Sequence, residues 1–293
     1  MKVDISPGKY VLALSGGVDS MVLLDILSKH EHLELIAAHY NHGIRAAATR
    51  DEDFVRAIAK DYGLLFEAGH GKLGPLASEA EAREARYAFL AQVKQKYEAD
   101  AIITAHHQDD LIETALINIL RGTGPKGLIA IASSKDILRP LLPYPKEAIL
   151  NYANQEKLEW VEDETNEDIR YLRNYIRREL VPRMSQAERE KTLSHIDKIK
   201  HVHRELELVI SKLSKKVLID ERTINRSSFI SLPPEIANSF LYFWFNELNV
   251  SDIDRKTITR LSTVLKTGAV GSQHKIKNGN YLKLSKKEAY FTS

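Results

Sequence analysis

Four short apolar runs set the frame: "YVLAL" (10–14), "LELIAAHY" (33–40), "LLFEA" (64–68) and "AIITAHH" (101–107). Between them lie "DSMVLLDILSKH", "TRDEDFVRAIAKDYG" and "SEAEAREARYAFLAQVKQKY", each with apolar residues three and four apart. That spacing predicts buried strands alternating with amphipathic helices. Strand and helix in alternation require a parallel sheet with helices on both faces, a doubly wound α/β fold with right-handed crossovers. Ligands of such sheets sit at the carboxyl ends of the strands. Here those ends read "SGGVDS", "HYNHGIR" and "HHQDD", so they are expected to converge on one crevice.

Beyond "RPLLPYPKEAILNYANQ" the chain changes character. "NEDIRYLRNYIRRELVPRM" predicts a basic helix ended by Pro182, and "QAEREKTLSHIDKIKHVHRELELVISKLSKK" a long charged one. Apolar positions in the long helix are sparse, which predicts a connector and not a core helix. The expected organisation is an α/β domain over 1–184, a helical connector over 185–216 and a small α+β domain over 217–293. From Arg255 onward nine Lys/Arg face one acid, Glu288, although the whole chain carries only +2. Such asymmetry points to a nucleic-acid surface.

The chain has no cysteine among 293 residues, which excludes disulfides, thiolate metal sites and persulfide chemistry. No stretch approaches the roughly 18 apolar residues of a membrane span, and "MKVDISPGKY" lacks the apolar core of a signal peptide. A soluble, cytoplasmic protein is expected, with no membrane partner.

"VLALSGGVDSMVLLDIL" (11–27) joins an apolar strand to a helix through a glycine turn. Gly16 and Gly17 let backbone amides approach an oxyanion, and the helix start at Val18 adds its positive dipole end. Ser15 and Ser20 can add hydroxyl donors. The string lacks the Lys-Ser/Thr of a P-loop. Asp19 beside phosphate oxygens would repel them unless a dication stood between, so Asp19 is expected to ligate Mg²⁺. On its own it would read as a helix N-cap.

"LSGGVDS" resembles the pyrophosphatase loop of the N-type ATP pyrophosphatases, which split ATP between its α- and β-phosphates and transfer AMP. "HYNHGIR" (39–45), "EAREARY" (81–87), "TAHHQDDLIETALINILRGTG" (104–124) and "WVEDETN...RNYIRRELVP" (160–182) resemble, in this order, the motifs of the tRNA(Ile)-lysidine synthetases. The match covers roughly residues 10–183; the C-terminal part agrees only in size and basic character, as in a short form of the family. The resemblance implies a Rossmann-like PP-loop ATPase domain over 1–184 and a two-step ligation. ATP would adenylate the C2 oxygen of the wobble cytidine in a CAU anticodon. The ε-amine of free L-lysine would then attack C2 and expel AMP. The implied partners are tRNA(Ile), L-lysine and ATP; a tRNA could span two subunits, so a homodimer is allowed.

By the same resemblance Arg86, Asp110 and Glu113 hold the lysine. The residues accommodate this: Asp110 and Glu113 lie three apart on a predicted helix and share a face, and Arg86 can offer a bidentate fork to a carboxylate. Lysine's side chain has a pKa of roughly 10.4, so a base must take its proton, and either Asp110 or Glu113 is placed to do so. His106, at a strand end, is expected to face the α-phosphate of ATP. His39, His42 and Arg45 would line the adenine and phosphate side. Asn174, Arg177 and Arg178 match the family's "RNxIRxxLxP" string and are expected to position RNA, with Lys286 and Lys287 gripping tRNA elsewhere. A tRNA thiolase on the same loop would rely on cysteines, which are missing. An amidotransferase-type synthetase would not predict the basic helix or tail.

Overall fold

The computed structural model describes residues 1–43, 48–71, 79–121, 136–161, 172–250, 253–277 and 279–292. The chain divides into two compact units, Met1–Asp197 and Lys198–Ser293.

In the first unit, strands β1 (Gly8–Ala13), β2 (Leu33–Asn41), β3 (Leu65–His70), β4 (Ala101–Ile103) and β5 (Ile137–Leu138) form one sheet in the order β3-β2-β1-β4-β5. Every pairing is parallel. The period of two along each strand sorts side chains into two cores. Tyr10, Leu12, Leu35, Ala37, Ala101 and Ile103 enter one, which also holds Leu23, Leu24 and Leu27 of helix α1 (Val18–Ser28), Val55 and Ala59 of α2 (Ala48–Asp61), and Ile149 and Ala153 of α5 (Lys146–Gln155). Val11, Ile36, Ala38 and Ile102 enter the other, against Leu90 and Val93 of α3 (Glu79–Lys96). The doubly wound fold expected from the sequence is therefore present. Two strands differ from expectation: β5 was not expected from the sequence, and β3 is more exposed than its apolar run suggests. "LLFEA" reads as a buried strand, but β3 is the sheet edge, and Leu65 is 54% exposed.

Helix α4 (Gln108–Leu120) follows β4 and is covered on two sides. Ile112 and Ile117 pack on Ile176 and Val181, while Leu111 and Ala115 pack on Ile196, Leu142 and Leu193. The basic segment is not one regular helix. It runs as α6 (Leu172–Tyr175), a π turn (Ile176–Leu180) and a 3-10 turn (Val181–Arg183) that contains Pro182. Pro182 lacks the N–H that would continue a helix, which fits the tightening there.

Helix α7 (Gln186–Val217) is continuous over 32 residues, and the boundary between the units falls inside it. Its few apolar residues are not idle. Leu193 and Ile196 serve the first unit, while Ile210 and Val217 enter the core of the second. The reading that sparse apolar positions keep this helix out of a core holds only for its middle, where Val202, Leu208 and Val209 are exposed.

In the second unit an antiparallel sheet has the order β6-β7-β10-β9-β8, from β6 (Leu218–Asp220), β7 (Thr223–Asn225), β8 (Gln273–Lys275), β9 (Tyr281–Leu284) and β10 (Glu288–Thr292). Helices α8 (Arg226–Ile230), α9 (Pro234–Glu247) and α10 (Arg255–Thr267) supply Phe229, Phe240, Trp244, Phe245, Ile258 and Leu261 to its core. Among the described residues no helix is long and apolar enough to cross a membrane.

Candidate active site

Strand order reverses between β1 and β4, so the crevice beyond their carboxyl ends is the topological switch point. The glycine turn after β1 lies on one side of it, and "TAHHQDD" (104–110) after β4 on the other.

Gly16 has φ +88°, a conformation that side chains disfavour, and an added Cβ would sit 3.0 Å from Val55 Cγ2. Ser20, buried, ties the turn together: its Oγ donates to the Gly17 carbonyl at 2.8 Å and accepts from the Gly16 amide at 3.2 Å. Ser15 Oγ lies 3.2 Å from Ser20 Oγ. The Gly16 carbonyl accepts from the Val161 amide at 2.9 Å. No side chain caps the first turn of α1, which leaves the helix start without a competing acceptor from a cap. His39 is buried beneath the turn, with Nδ1 donating to the Leu14 carbonyl at 2.9 Å. Burial lowers its pKa, so the ring stays neutral and buttresses the loop. Arg45 lies outside the described residues.

Asp19 projects from the first turn of α1, and its carboxylate is 29% exposed. Lys146 Nζ lies 2.6 Å from Asp19 Oδ1, and His107 Nε2 3.8 Å from Oδ2. Among the described residues no group of three or more His, Cys, Asp or Glu could cage a metal. Mg²⁺ does not need such a cage, since it is commonly bound by one or two carboxylates together with substrate phosphates. A lone accessible carboxylate at a phosphate turn fits that donor set.

Across the crevice, Asp109 and Asp110 open α4, where the helix dipole favours anions. Asp110 Oδ2 accepts from the His107 amide at 2.9 Å. Asp109 pairs with Arg189 Nη1 at 3.1 Å. Glu113 is 2% exposed. Arg177 grips it twice, Nε to Oε1 at 2.8 Å and Nη2 to Oε2 at 2.9 Å, and also lies 3.2 Å from Asp110 Oδ1. Burial pushes the Glu113 carboxyl up to about 7 against the pull of Arg177, and Asp110 and Asp109 add to the rise. A carboxyl poised near neutrality can both hold and take a proton.

Asp110 and Glu113 thus share a face, as their spacing predicts, but their partner is Arg177. Arg86 belongs to a different group. It is half-buried on α3 with Nε unpaired, and no described contact joins it to Asp110 or Glu113. His106 stands in the field of Arg139, Arg86 and Arg83; burial and these cations press its pKa down to about 2. Its Nδ1 lies 2.8 Å from Thr104 Oγ1. Neighbouring histidines after β4 therefore divide, His107 beside acids and His106 among arginines.

On the basic segment Arg178 is exposed and Asn174 half-buried. In the second unit Lys286 and Lys287 are exposed at the turn between β9 and β10. Sequence reasoning missed Lys146, His107, Arg139 and Arg189. Arg139 and Lys146 stand in "RPLLPYPKEAI", which reads only as a Pro-punctuated connection; the Arg and Lys bracketing it were the available signal.

The model of the PP-loop domain matches residues 2–184. The tRNA(Ile)-lysidine synthase of Francisella tularensis subsp. novicida is 32% identical over 283 residues, which cover 93% of this chain and 71% of that one. The chain belongs to the tRNA(Ile)-lysidine synthase family of PP-loop proteins. The enzyme of that name from Thermotoga sp. (strain RQ2) is 38% identical over 193 residues. That match covers 62% of this chain and 47% of its relative, so the chain spans about half the length of the first curated relatives it matches. Among solved structures, the U34-tRNA thiolase NcsA from Methanococcus maripaludis aligns with a TM-score of 0.58 at 20% identity, covering 66% of this chain and 71% of that one. At that identity the likeness concerns the fold alone.

Proposed function

We propose that this protein is an ATP-dependent C–N ligase that joins L-lysine to C2 of the wobble cytidine in a tRNA(Ile) bearing a CAU anticodon. Membership of the lysidine synthase family supports the reaction class. The observation that carries the reading is the crevice itself, a phosphate turn with an accessible Asp19 facing two carboxylates, the half-buried Asp110 and the buried Glu113.

The steps balance as follows. The cytidine O2 attacks the α-phosphorus of ATP, the bond to the β-phosphate oxygen breaks, and diphosphate leaves. The lysine ε-amine then attacks C2, AMP departs with O2, and the amine proton passes to a carboxylate. The amides of the Gly16–Gly17 turn and the open start of α1 would hold the polyphosphate. Mg²⁺, if held by Asp19 and phosphate oxygens, would neutralise charge on the leaving diphosphate. Asp110 and Glu113 would attract the lysine ammonium, and Glu113, near neutrality, is the better placed to accept its proton. Arg86, with an unpaired buried Nε, would receive the lysine α-carboxylate. Asn174 and Arg178 would position the RNA, with Lys286 and Lys287 contacting it from the second unit.

The test is incubation of the purified protein with ATP, labelled lysine and tRNA(Ile) bearing CAU. Stable label in the RNA, with one AMP and one diphosphate per lysine, is the expected result. Release of orthophosphate in place of diphosphate, or no label in the RNA, would overturn the proposal.

A further inference from the structure

The glycine turn that faces the crevice contains no lysine, yet one reaches it from far along the chain. Lys146 is separated from Asp19 by 127 residues in sequence and lies 2.6 Å from it in space. Its root is fixed. Pro145 is the N-cap of α5, the Lys146 amide donates to Asp109 Oδ1 at 3.3 Å, and the Gln108 amide donates to the Tyr144 carbonyl at 2.9 Å. The backbone around Lys146 is thereby pinned to the start of α4. Its side chain reaches out from that fixed root on a four-carbon stem and is 34% exposed.

The pairing partner is informative. Asp19 carries a single charge and is itself 29% exposed. An ion pair this open to water is weak and readily exchanged. A polyphosphate entering the turn brings several negative charges to within the reach of the same ammonium. Lysine is well suited to such a transfer, since its ammonium acts as a mobile point charge on phosphate.

From this geometry we infer that Lys146 is a catalytic residue of the diphosphate-releasing step, its ammonium moving from Asp19 to the phosphate oxygens when nucleotide binds. The inference rests on the reading of the turn as the polyphosphate site. In the nucleotide-free protein Lys146 neutralises Asp19 and competes with any dication for that carboxylate. With nucleotide in place the carboxylate would be left available to a dication, and the ammonium stabilises charge that builds on the leaving diphosphate. No bond to Lys146 forms or breaks, and no proton is transferred. The division of labour accounts for a phosphate turn that carries an acid while its lysine comes from another element.

Four proteins test this: the full chain, Lys146→Met, Lys146→Arg and Asp19→Asn. Diphosphate release from ATP in the presence of tRNA is measured for each, together with Mn²⁺ binding to the nucleotide-free proteins by electron paramagnetic resonance. Lys146→Met is expected to release diphosphate roughly 10²-fold more slowly, and Lys146→Arg to recover most of that loss. Without nucleotide, Lys146→Met is expected to bind Mn²⁺ about fivefold more tightly, because Asp19 has lost its internal cation. A wild-type rate in Lys146→Met, alongside an inactive Asp19→Asn, overturns the role of Lys146 and leaves the phosphate turn standing. A slow Lys146→Met that Arg does not rescue, with Mn²⁺ affinity unchanged, also overturns it, since that is the mark of a structural lysine. A wild-type rate in Asp19→Asn overturns the reading of the turn itself.

Discussion

Arg177 holds Glu113 at two points, through Nε at 2.8 Å and Nη2 at 2.9 Å, and leans on Asp110 with the same Nη2 at 3.2 Å. A single guanidinium of the protein therefore already pairs with both carboxylates proposed to receive the amine substrate, and offsets only part of their charge. An arriving ammonium meets a site whose negative charge Arg177 controls. The contact also anchors the π turn to α4, because Ile176 beside it is fully buried against Ile112 and Ile117.

Replacing Arg177 by Met is expected to cost stability in a pH-dependent manner. Removing one partner of a fully buried ion pair costs about 3–5 kcal/mol, but Arg177 is 37% exposed, so roughly 2 kcal/mol is expected at pH 8. At pH 5 the loss should be small, because Glu113, with a pKa of about 7, is then mostly neutral in the parent as well. Urea unfolding of both proteins at the two pH values measures the difference. An equal loss at pH 5 and pH 8 would locate the damage in packing and not in charge.

Glu113→Gln should flatten the pH dependence of stability. The folded carboxyl is raised from 4.5 to about 7, chiefly by burial, so between those values the folded state binds more protons than the unfolded one. Stability must then fall as pH rises through that window. The glutamine variant has no proton to lose and should not show the fall. Unfolding midpoints from pH 4.5 to 7.5, for both proteins, decide the matter; parallel curves would place the Glu113 pKa elsewhere.

Gly16→Ala and Gly17→Ala should behave differently although the two glycines are adjacent. Gly16 has φ +88°, and its added Cβ would crowd Val55 Cγ2 at 3.0 Å. The strain is expected to cost about 1–2 kcal/mol and to abolish diphosphate release by unseating the turn. Gly17 adopts φ −73°, which any residue accepts, and its Cβ would find only Ser15 Oγ at 3.6 Å. Its change in stability should stay within about 0.5 kcal/mol. Thermal melts and a diphosphate assay on both variants check the contrast.

What the sequence disclosed follows from the range of each interaction. Four of the five strands of the first sheet were legible because apolar content is local, whereas the two-residue β5 was too short to stand out, and the shared face of Asp110 and Glu113, three residues apart, was legible too. That β3 would be the edge was not legible, since an apolar run does not say which neighbours it will lack. Arg177 was legible as a cation in a basic segment, but its carboxylate partners lie 64 and 67 residues away. The π turn that aims it arises where Ile176 and Val181 must both reach α4, a tertiary requirement. Lys146 showed locally only as the basic end of a Pro-punctuated connection, with nothing to set it against Asp19, 127 residues away. Arg86 and His106 could be named from motif strings, yet nothing in those strings distinguishes the arginine group from the acidic one.

Charge reversal at Lys286 and Lys287 should weaken RNA binding without disturbing the fold. Both are exposed at the turn between β9 and β10, where the Ser285 amide donates to the Glu288 carbonyl at 2.8 Å and the Glu288 amide to Ser285 Oγ at 3.0 Å, so the hairpin closes without either lysine side chain. Neither side chain is needed for that closure, so Lys286→Glu with Lys287→Glu should melt like the parent. Each phosphate contact contributes about 0.7–0.9 to the slope of log affinity against log salt, so losing two should reduce that slope by about 1.5. Binding to tRNA, measured across 50 to 300 mM salt (roughly the span over which counterion release is resolved), tests this. An unchanged slope would mean that the basic turn faces away from the RNA and that the second unit reaches it through another surface.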